Sequence, residues 1–140
     1  MRNDDTRRSV TLRVAAMVAV LLSVSGSRLI AQEAKVTPLM TKELADMPGK
    51  EALMITVDYP PGSKDAPHRH NAHTFVYVLE GTIVMQVKGQ QPVRLTAGQT
   101  FYEGPEDVHV VGRNASSTKP AKFLVLLLKK QGAPVVVPAE

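Results

Sequence analysis

Histidine is the residue type whose spacing in this sequence points to chemistry. The chain has only four histidines, and three of them, His68, His70 and His73, lie within six residues. In an extended segment residues i and i+2 point to the same face, so His68 and His70 project together. Two imidazoles held side by side are a ready pair of ligands for a divalent metal. The other interpretation is a polar surface loop that happens to contain these histidines.

The fourth histidine, His109, lies on a different expected strand, just after the turn at Gly104-Pro105. In a β-barrel, His109 can approach His68 and His70 from the facing sheet and complete a set of three nitrogen ligands with open coordination positions. Imidazole suits several transition metals, so the ligand set does not fix the metal. We therefore expect a divalent transition metal as cofactor, with Fe, Mn, Ni, Cu and Zn all admissible.

The elements that must position these histidines are short strands. Apolar runs bounded by turn residues occur at 53–59, 74–79, 83–87, 93–95, 100–103, 108–112 and 121–128. Many short strands at this spacing predict an all-β sandwich or barrel. The segment 36–47 is compatible with either a strand or one helical turn.

Two of the expected strands are apolar on both faces instead of alternating. They contain the runs FVYVL at 75–79 and FLVLLL at 123–128. Strands of this kind are usually covered on both sides, and in a small domain a second subunit can provide the second cover. We therefore predict a homodimer. Four of the aromatic residues, together with the six methionines, are expected in the core instead of a pocket; the four are Phe75, Tyr77, Phe101 and Tyr102.

The first part of the chain, residues 1–31, has the pattern of a secretory signal peptide. A positive region with Arg7, Arg8 and Arg13 precedes an apolar run of eleven residues at 14–24, which is too short for a bilayer that needs about 20. Cleavage is expected after Ala31, or alternatively after Ser27. The other interpretations are an uncleaved membrane anchor or a buried helix. We expect an exported protein, periplasmic or secreted, with no stable membrane anchor.

Composition excludes several classes of protein. With 44% hydrophobic and 21% charged residues, the chain is not intrinsically disordered. The absence of cysteine excludes disulfides, thiolate zinc sites, iron–sulfur clusters and thiol nucleophiles. The net charge is +4, but without residues 1–31 the chain keeps 12 basic and 11 acidic residues, a net of +1. Its lysines are scattered, so we expect no nucleic acid as partner.

A two-part pattern of glycines and histidines resembles a known family. Its positions here are Gly62, His68, His70, Gly81, Gly98 and His109. The first four resemble the first motif of the cupin family. The last two resemble its second motif, although Pro105 and Asn114 each fall one place late. The similarity covers residues 51–130 and implies a small single-domain cupin.

This resemblance implies an all-β fold of the cupin type, a jelly-roll β-barrel with the metal inside, and frequently a dimer. In this chain a signal helix would precede the barrel. The expected organisation is a signal peptide at 1–31, an N-terminal extension at 32–50, the barrel at 51–130 and a C-terminal tail at 131–140.

The sequence departs from the family pattern at one ligand position. The first cupin motif usually supplies a glutamate ligand, and the corresponding residue here is Thr74. A threonine hydroxyl is a poor ligand compared with a carboxylate. The expected metal ligands are therefore His68, His70 and His109 alone. His73 is adjacent to Thr74, but strand alternation turns it to the other face unless the strand bulges there.

Glu103 occupies a position that in cupins is usually an inward-facing aliphatic residue. A carboxylate inside an apolar barrel is costly unless it is paired or bound to metal. Glu103 is therefore either a replacement ligand or a general base with a raised pKa. Alternatively, the turn at Gly104 swings it into solvent.

Two functions compete on this basis. The first is a metal-dependent enzyme acting on a small oxygen-bearing molecule such as a diketone, catechol or hydroxy acid. Its chemistry would be dioxygenase-like with Fe(II), or Lewis-acid isomerase or lyase chemistry with another metal. The second is a non-catalytic module that binds a small ligand or a metal; the missing glutamate favours it, whereas the three histidines favour the enzyme. A purely structural barrel is a third possibility, and no catalytic residue is assigned.

Overall fold

The computed structural model describes residues 32–139, which form ten β-strands joined by turns and loops. The strands are β1 (Lys35–Glu43), β2 (Lys50–Tyr59), β3 (His68–Arg69), β4 (His73–Glu80), β5 (Thr82–Val87), β6 (Val93–Thr96), β7 (Thr100–Glu103), β8 (His109–Asn114), β9 (Ala121–Lys130) and β10 (Val137–Pro138). The predicted all-β fold is confirmed for this part of the chain. The signal helix expected over 1–31 lies outside the described residues. Between residues 32 and 139, no helix has the length and hydropathy required to cross a bilayer.

The strands form two five-stranded sheets, in the orders β1-β2-β9-β4-β7 and β10-β3-β8-β5-β6. The central pair of the first sheet, β2 and β9, is antiparallel and stays in register from Lys50↔Lys130 to Tyr59↔Ala121. Segment 36–47 is resolved as a strand along most of its length, since β1 pairs with β2. The C-terminal tail also adds a strand, because β10 pairs with β3. Both segments lie outside the range 51–130 and still contribute to the sheets.

The core lies between the sheets and follows from strand alternation. In β9 the odd-numbered residues from Ala121 to Lys129 are buried, and the even-numbered ones are more exposed. Ile55, Val78 and Leu127 belong to the hydrophobic cluster between the two sheets. The closing glycine of the first motif is required by geometry. Gly81 has φ 73°, and an added Cβ would lie 2.6 Å from the Pro120 carbonyl oxygen.

The opposite face of the first sheet is apolar and open. We call it the outer face; its central residues are Phe75, Tyr77, Tyr102, Leu124 and Leu126. Phe75, Tyr77 and Tyr102 are 44%, 45% and 49% exposed, so the prediction that they lie in the core is wrong. The reason is alternation, because the residues of β4 at 74, 76 and 78 point inward and leave the aromatic positions outside. Phe101, in contrast, packs against the core.

Candidate metal centre

Strand pairing in the second sheet brings two of the histidines together. His68 on β3 is the direct register partner of His109 on β8, and both are buried. Directly opposed residues of an antiparallel pair project from the same face. His70 follows β3 immediately, and Asn71 then adopts a positive φ of 49°, a conformation that asparagine tolerates better than most residues. This turn leads the chain from β3 into β4.

The three histidines form one cluster, which we call the histidine cluster. One nitrogen from each of His68, His70 and His109 lies within 4.8 Å of the other two. The Nε2 atoms of His68 and His70 are 3.2 Å apart. Two ligand atoms that are each about 2.1 Å from one ion lie roughly 3.0–3.4 Å apart in octahedral or tetrahedral geometry. The spacing of this nitrogen pair therefore fits a shared metal ion.

Backbone carbonyls fix the tautomer of each ring in the cluster. His68 Nδ1 donates to the Ala66 carbonyl at 2.8 Å, and His70 Nδ1 donates to the Val135 carbonyl at 2.7 Å. His109 Nε2 donates to the carbonyl of Val111 at 2.6 Å. Because a carbonyl oxygen only accepts, these nitrogens carry the protons and the opposite nitrogens carry lone pairs. Metal-binding histidines are commonly oriented by such a second hydrogen bond.

The second ring nitrogen of His109 provides a further test of whether the site suits a metal ion. His109 Nδ1 is buried and has no hydrogen-bond partner among residues 32–139. Burial, together with the neighbouring His68, lowers the pKa of His109 to about 4. Burial likewise lowers the pKa of His70. Both rings are therefore neutral at pH 7, which is the form that binds a metal. The donor set and its protonation state both suit a divalent transition metal.

Glu103 lies beside the histidine cluster. It is 2% exposed, so the alternative in which the Gly104 turn swings it into solvent is wrong. The turn closes one residue later, where the Gly104 N–H donates to Asp107 Oδ2 at 2.6 Å, and Glu103 keeps its inward place in β7. Its Oε1 is 3.2 Å from His109 Nδ1, and its Oε2 is 3.9 Å from His70 Nε2. Burial, with the charges of Asp107 and Asp65, raises the pKa of Glu103 to about 7.

His73 and Thr74, at the position where the cupin pattern has a glutamate ligand, lie on opposite faces of β4. Thr74 points inward and is 1% exposed, and its hydroxyl has no partner in the part of the chain that the structure describes. His73 is exposed, and its Nδ1 shares a hydrogen bond of 2.7 Å with the hydroxyl of Tyr102. Strand alternation therefore keeps His73 out of the histidine cluster, as the sequence predicted.

The histidine cluster opens into a cavity of about 640 Å³ between the two sheets. Its walls are mainly apolar and include Ile55, Val57, Val76, Phe123, Val125 and Leu127. Val135 and Val136 of the C-terminal tail and Ala34 before β1 also line it. The volume falls within the range of small-molecule sites. The contribution of both chain ends was not predicted, because neither segment carries a motif.

Asp65 also lies on the cavity wall, and the sequence did not predict this position. Asp65 accepts a hydrogen bond from the buried Tyr59 hydroxyl, and burial raises the pKa values of both groups. Gly112 allows this packing, since an added Cβ there would lie 2.9 Å from Asp65 Oδ2 and 3.0 Å from His109 Cε1. An aspartate in a loop normally indicates a turn, so no feature of the sequence distinguished this one.

Solved structures with the same fold include proteins of different activities. An uncharacterised conserved protein with a double-stranded β-helix domain from Klebsiella pneumoniae subsp. pneumoniae MGH 78578 is 17% identical, with a TM-score of 0.61 over 77% of this chain and 85% of that one. An oxalate oxidase in complex with the substrate analogue glycolate is 26% identical, with a TM-score of 0.57 over 74% of this chain. The DMSP lyase DddQ from Ruegeria pomeroyi DSS-3 is 23% identical, with a TM-score of 0.55 over 63% of this chain. The chain spans 54% of the oxidase and 43% of the lyase.

Comparison with curated proteins gives no match. The family model for the cupin domain, in contrast, matches residues 55–127, a range that begins in β2, ends in β9 and includes all residues of the histidine cluster. That range is more than half of the chain. With its two antiparallel sheets and its inward histidines, this chain belongs to the cupin family.

Proposed function

We propose that His68, His70 and His109 bind a divalent transition metal, and that the protein is a metal-dependent enzyme acting on a small oxygen-bearing molecule. The observation that carries this proposal is the convergence of three imidazole nitrogens. In each of these rings the other nitrogen already donates its proton to a backbone carbonyl. Among the described residues the buried His109 Nδ1 has no hydrogen-bond partner, which costs free energy in the metal-free protein, and a bound ion would offset that cost. A bound ion would supply Lewis-acid activation of a coordinated oxygen, or dioxygen activation in the case of iron.

The cavity defines the class of substrate. Apolar side chains dominate its walls, and its volume of about 640 Å³ exceeds the requirement of a two-carbon acid such as the glycolate of the oxalate oxidase complex. A matching substrate has an oxygen-bearing end that reaches the metal and a mainly apolar body that replaces water along the walls. Diketones, catechols and hydroxy acids with apolar substituents fit this description.

Asp65 is the residue of the wall best suited to move a proton. Its carboxyl lines the cavity, and burial holds its pKa above the usual value. The Tyr59 hydroxyl fixes its orientation by donating a hydrogen bond. Lyase or isomerase chemistry requires a group of this kind to take a proton from the activated substrate. Oxygenase chemistry does not depend on it to the same degree.

The metal site is tested by elemental analysis and by titration with Zn²⁺ and Co²⁺ of purified wild type and the His68→Ala variant. We expect metal in the wild type and a large loss in the variant. His73→Ala is the matched control, since His73 is an exposed histidine on β4 and should retain full metal content. Equal metal content in wild type and His68→Ala would count decisively against the proposal.

Turnover assays distinguish the enzyme from the second candidate function, a binding module. The second candidate, a non-catalytic module that binds a ligand or a metal, is favoured by one observation, the threonine in place of the glutamate ligand. Fe(II)-loaded protein is assayed for oxygen consumption with diketones, catechols and hydroxy acids. Protein loaded with Mn²⁺, Ni²⁺ or Zn²⁺ is assayed anaerobically for loss of the same compounds. Activity in the second assay that Asp65→Asn lowers supports lyase or isomerase chemistry, and no turnover with any metal favours the module.

We further propose a homodimer that is formed through the outer face. Phe75 and Tyr77 on β4 pair with Leu126 and Leu124 on β9, which gives a contiguous apolar surface across two strands. An exposed patch of this composition commonly marks a protein interface.

Sedimentation analysis should give a dimer for the wild type and a monomer for Tyr77→Arg. Gln91→Arg, in the loop between β5 and β6, serves as the control and should remain dimeric. A monomeric wild type would exclude the dimer.

Residues 1–31 are proposed to act as an export signal, with the mature chain starting at residue 32. The proposed organisation of that mature chain is an extension at 32–50, the barrel at 51–130 and a tail at 131–140. The support is the arginine-rich start followed by an apolar run. N-terminal sequencing of protein recovered from the periplasm or medium tests the cleavage site. Retention of the full chain in the cytoplasm would contradict it.

A further inference from the structure

We infer that Glu103 is a fourth protein ligand of the metal, so that the carboxylate missing at Thr74 is supplied from the neighbouring strand. This inference rests on the proposed metal site. It adds an acidic ligand to a set that the sequence presented as three neutral histidines.

Strand register places Glu103 where it can take over the role of residue 74. Thr74 on β4 and Glu103 on β7 are direct register partners in the first sheet. The Cβ atoms of directly opposed residues lie about 4.5–5.5 Å apart, and their side chains leave the sheet on the same face. Both residues point inward, with exposures of 1% and 2%, and both line the cavity. A glutamate at either position is therefore directed at the same part of the barrel.

The contacts of the Glu103 carboxylate resemble those of a ligand set. Its Oε1 lies 3.2 Å from His109 Nδ1, within the range of roughly 3.0–3.4 Å for two atoms bound to one metal. His109 Nε2 carries the ring proton, because it donates to the carbonyl of Val111. The carboxylate oxygen and the Nδ1 lone pair therefore face each other, which is unfavourable unless a cation or a proton lies between them.

A second histidine also directs a ring lone pair towards Glu103, at a longer distance. His70 donates its Nδ1 proton to the carbonyl of Val135, and its Nε2 lone pair lies 3.9 Å from Glu103 Oε2. One carboxyl proton can satisfy only one of these two contacts. A metal ion can satisfy both, because it accepts electron pairs from several ligands at once. A carboxyl proton would serve the 3.2 Å contact with His109, whereas a metal ion would also make use of the lone pair of the more distant His70.

A carboxylate ligand changes the charge and the coordination of the site. Three neutral histidines leave the charge of a divalent ion at +2, and Glu103 reduces it to +1. Four protein ligands also leave two positions at a six-coordinate ion. A substrate with two oxygen atoms can occupy both, which agrees with the proposed substrate class.

The substitution Glu103→Gln tests the inference, since glutamine keeps the size of the side chain and a hydrogen-bond donor but removes the charge. Zn²⁺ affinity is measured by competition with a chelator, and coordination by the visible spectrum of the Co²⁺ form. We expect Glu103→Gln to bind Zn²⁺ about 100-fold or more weakly than the wild type. This loss is at the upper end of the range seen when a residue that hydrogen-bonds to a metal ligand is removed. The visible spectrum of the Co²⁺ form should also change. Glu106→Gln, at an exposed glutamate three residues along, is the control and should match the wild type.

The double substitution Thr74→Glu with Glu103→Thr moves the carboxylate back across the strand pair. We expect it to recover most of the affinity lost in Glu103→Gln. If the double variant does not fold, Glu103→His supplies a different ligand at the same position and should also recover binding. Wild-type affinity and spectrum in Glu103→Gln, with binding still abolished in His68→Ala, would overturn this inference alone. A wild type that binds no metal would overturn both this inference and the proposed function.

Discussion

The inward face of this cupin holds two groups of buried polar side chains that use their hydrogen-bonding atoms differently. One is the histidine cluster with Glu103. The other, which we call the lysine cluster, consists of Lys129 on β9 and Glu51 on β2, which are direct register partners. Lys129 is 3% exposed, and its ammonium group contacts the Glu51 carboxylate, the Ala133 carbonyl at 2.6 Å and the Lys130 carbonyl at 3.4 Å.

The difference between the groups is whether each donor and acceptor has a partner in the chain. The three donors of Lys129 match three acceptors, so the lysine cluster is complete within the protein. In the histidine cluster the Glu103 carboxyl group faces the lone pairs of His70 and His109, and among the described residues it satisfies His109 Nδ1 only while it holds a proton. Desolvation is costly in both places. Only the lysine cluster recovers that cost within the chain, which indicates a structural role for it and a binding role for the histidine cluster.

The pKa values of the two glutamates reflect this difference. The hydrogen bond from Lys129 lowers the pKa of Glu51. Burial raises the pKa of Glu103 to about 7. Glu51 is therefore held as a carboxylate by its partner, whereas Glu103 resists ionisation until a cation is near.

The largest effect on folding is expected from Lys129→Met. The substitution removes the ammonium group and leaves the Glu51 carboxylate and the Ala133 carbonyl without their donor, which is strongly destabilising at a buried pair. We expect the melting temperature to fall by several degrees or more, with the Zn²⁺ affinity of the folded protein unchanged. Thermal unfolding and metal titration measure the two quantities. The double substitution Glu51→Gln with Lys129→Met should recover part of the loss, and a wild-type melting temperature in Lys129→Met would contradict the structural role.

The second effect is a pH dependence of opposite sign in the two groups. The raised pKa of Glu103 means that the folded state retains a proton that the unfolded chain loses above about pH 4.5. Its contribution to the stability of the metal-free protein is therefore fully present at low pH and is lost as the pH rises to about 7 and above. The difference between a pKa of about 4.5 and one of about 7 corresponds to on the order of 3 kcal/mol. The lowered pKa of Glu51 acts in the other direction, so its contribution is lost as the pH falls below the usual range of a glutamate.

Urea unfolding between about pH 3 and 8, with a chelator present, measures this contrast. Relative to wild type, Glu103→Gln should gain stability as the pH rises across this interval. Glu51→Gln should differ most from wild type at neutral pH and least at the acid limit. Parallel curves for wild type and Glu103→Gln would show that the Glu103 carboxyl is not held in an unfavourable environment.

The third effect uses the C-terminal tail, because it provides one carbonyl to each group. Val135 accepts from His70 Nδ1, and Ala133 accepts from Lys129 Nζ. A chain that ends after Pro134 keeps Ala133 and loses Val135, so we expect Zn²⁺ affinity to fall about tenfold. A chain that ends after Gly132 should lose a similar amount of affinity and additional thermal stability. Equal melting temperatures for the two truncated chains would contradict the separation of the two groups.

The sequence predicted those parts of the site that depend on local periodicity. The i, i+2 spacing of His68 and His70 determines that both point to one face, and alternation also determines that His73 does not. Alternation was applied less well to Phe75 and Tyr77, where apolar character was taken as evidence of burial. Their neighbours at 74, 76 and 78 occupy the inward positions, so the alternation itself contained the correct answer.

Contacts between distant segments could not be predicted in the same way. The orientation of Glu103 depends on where the Gly104 turn closes, and its position opposite Thr74 depends on the register of β7 against β4. The role of Val135 depends on the tail reaching His70 across 65 residues of sequence. None of these features is encoded in local spacing, since register and tail placement are set by the packing of the whole barrel.

The smallest effect is expected from Thr74→Val, which distinguishes a metal ligand at residue 74 on β4 from one at Glu103 on β7. The Thr74 hydroxyl is buried without a partner, so replacing it with a methyl group removes an unsatisfied polar atom at little change in volume. We expect a gain of about 1 kcal/mol in the free energy of unfolding of the metal-free protein, measured by urea unfolding. Zn²⁺ affinity should stay at the wild-type value, because the proposed ligand is the carboxylate of Glu103 and not the hydroxyl of Thr74. A marked loss of affinity in Thr74→Val would instead assign the hydroxyl to the metal and remove the need for a ligand from β7.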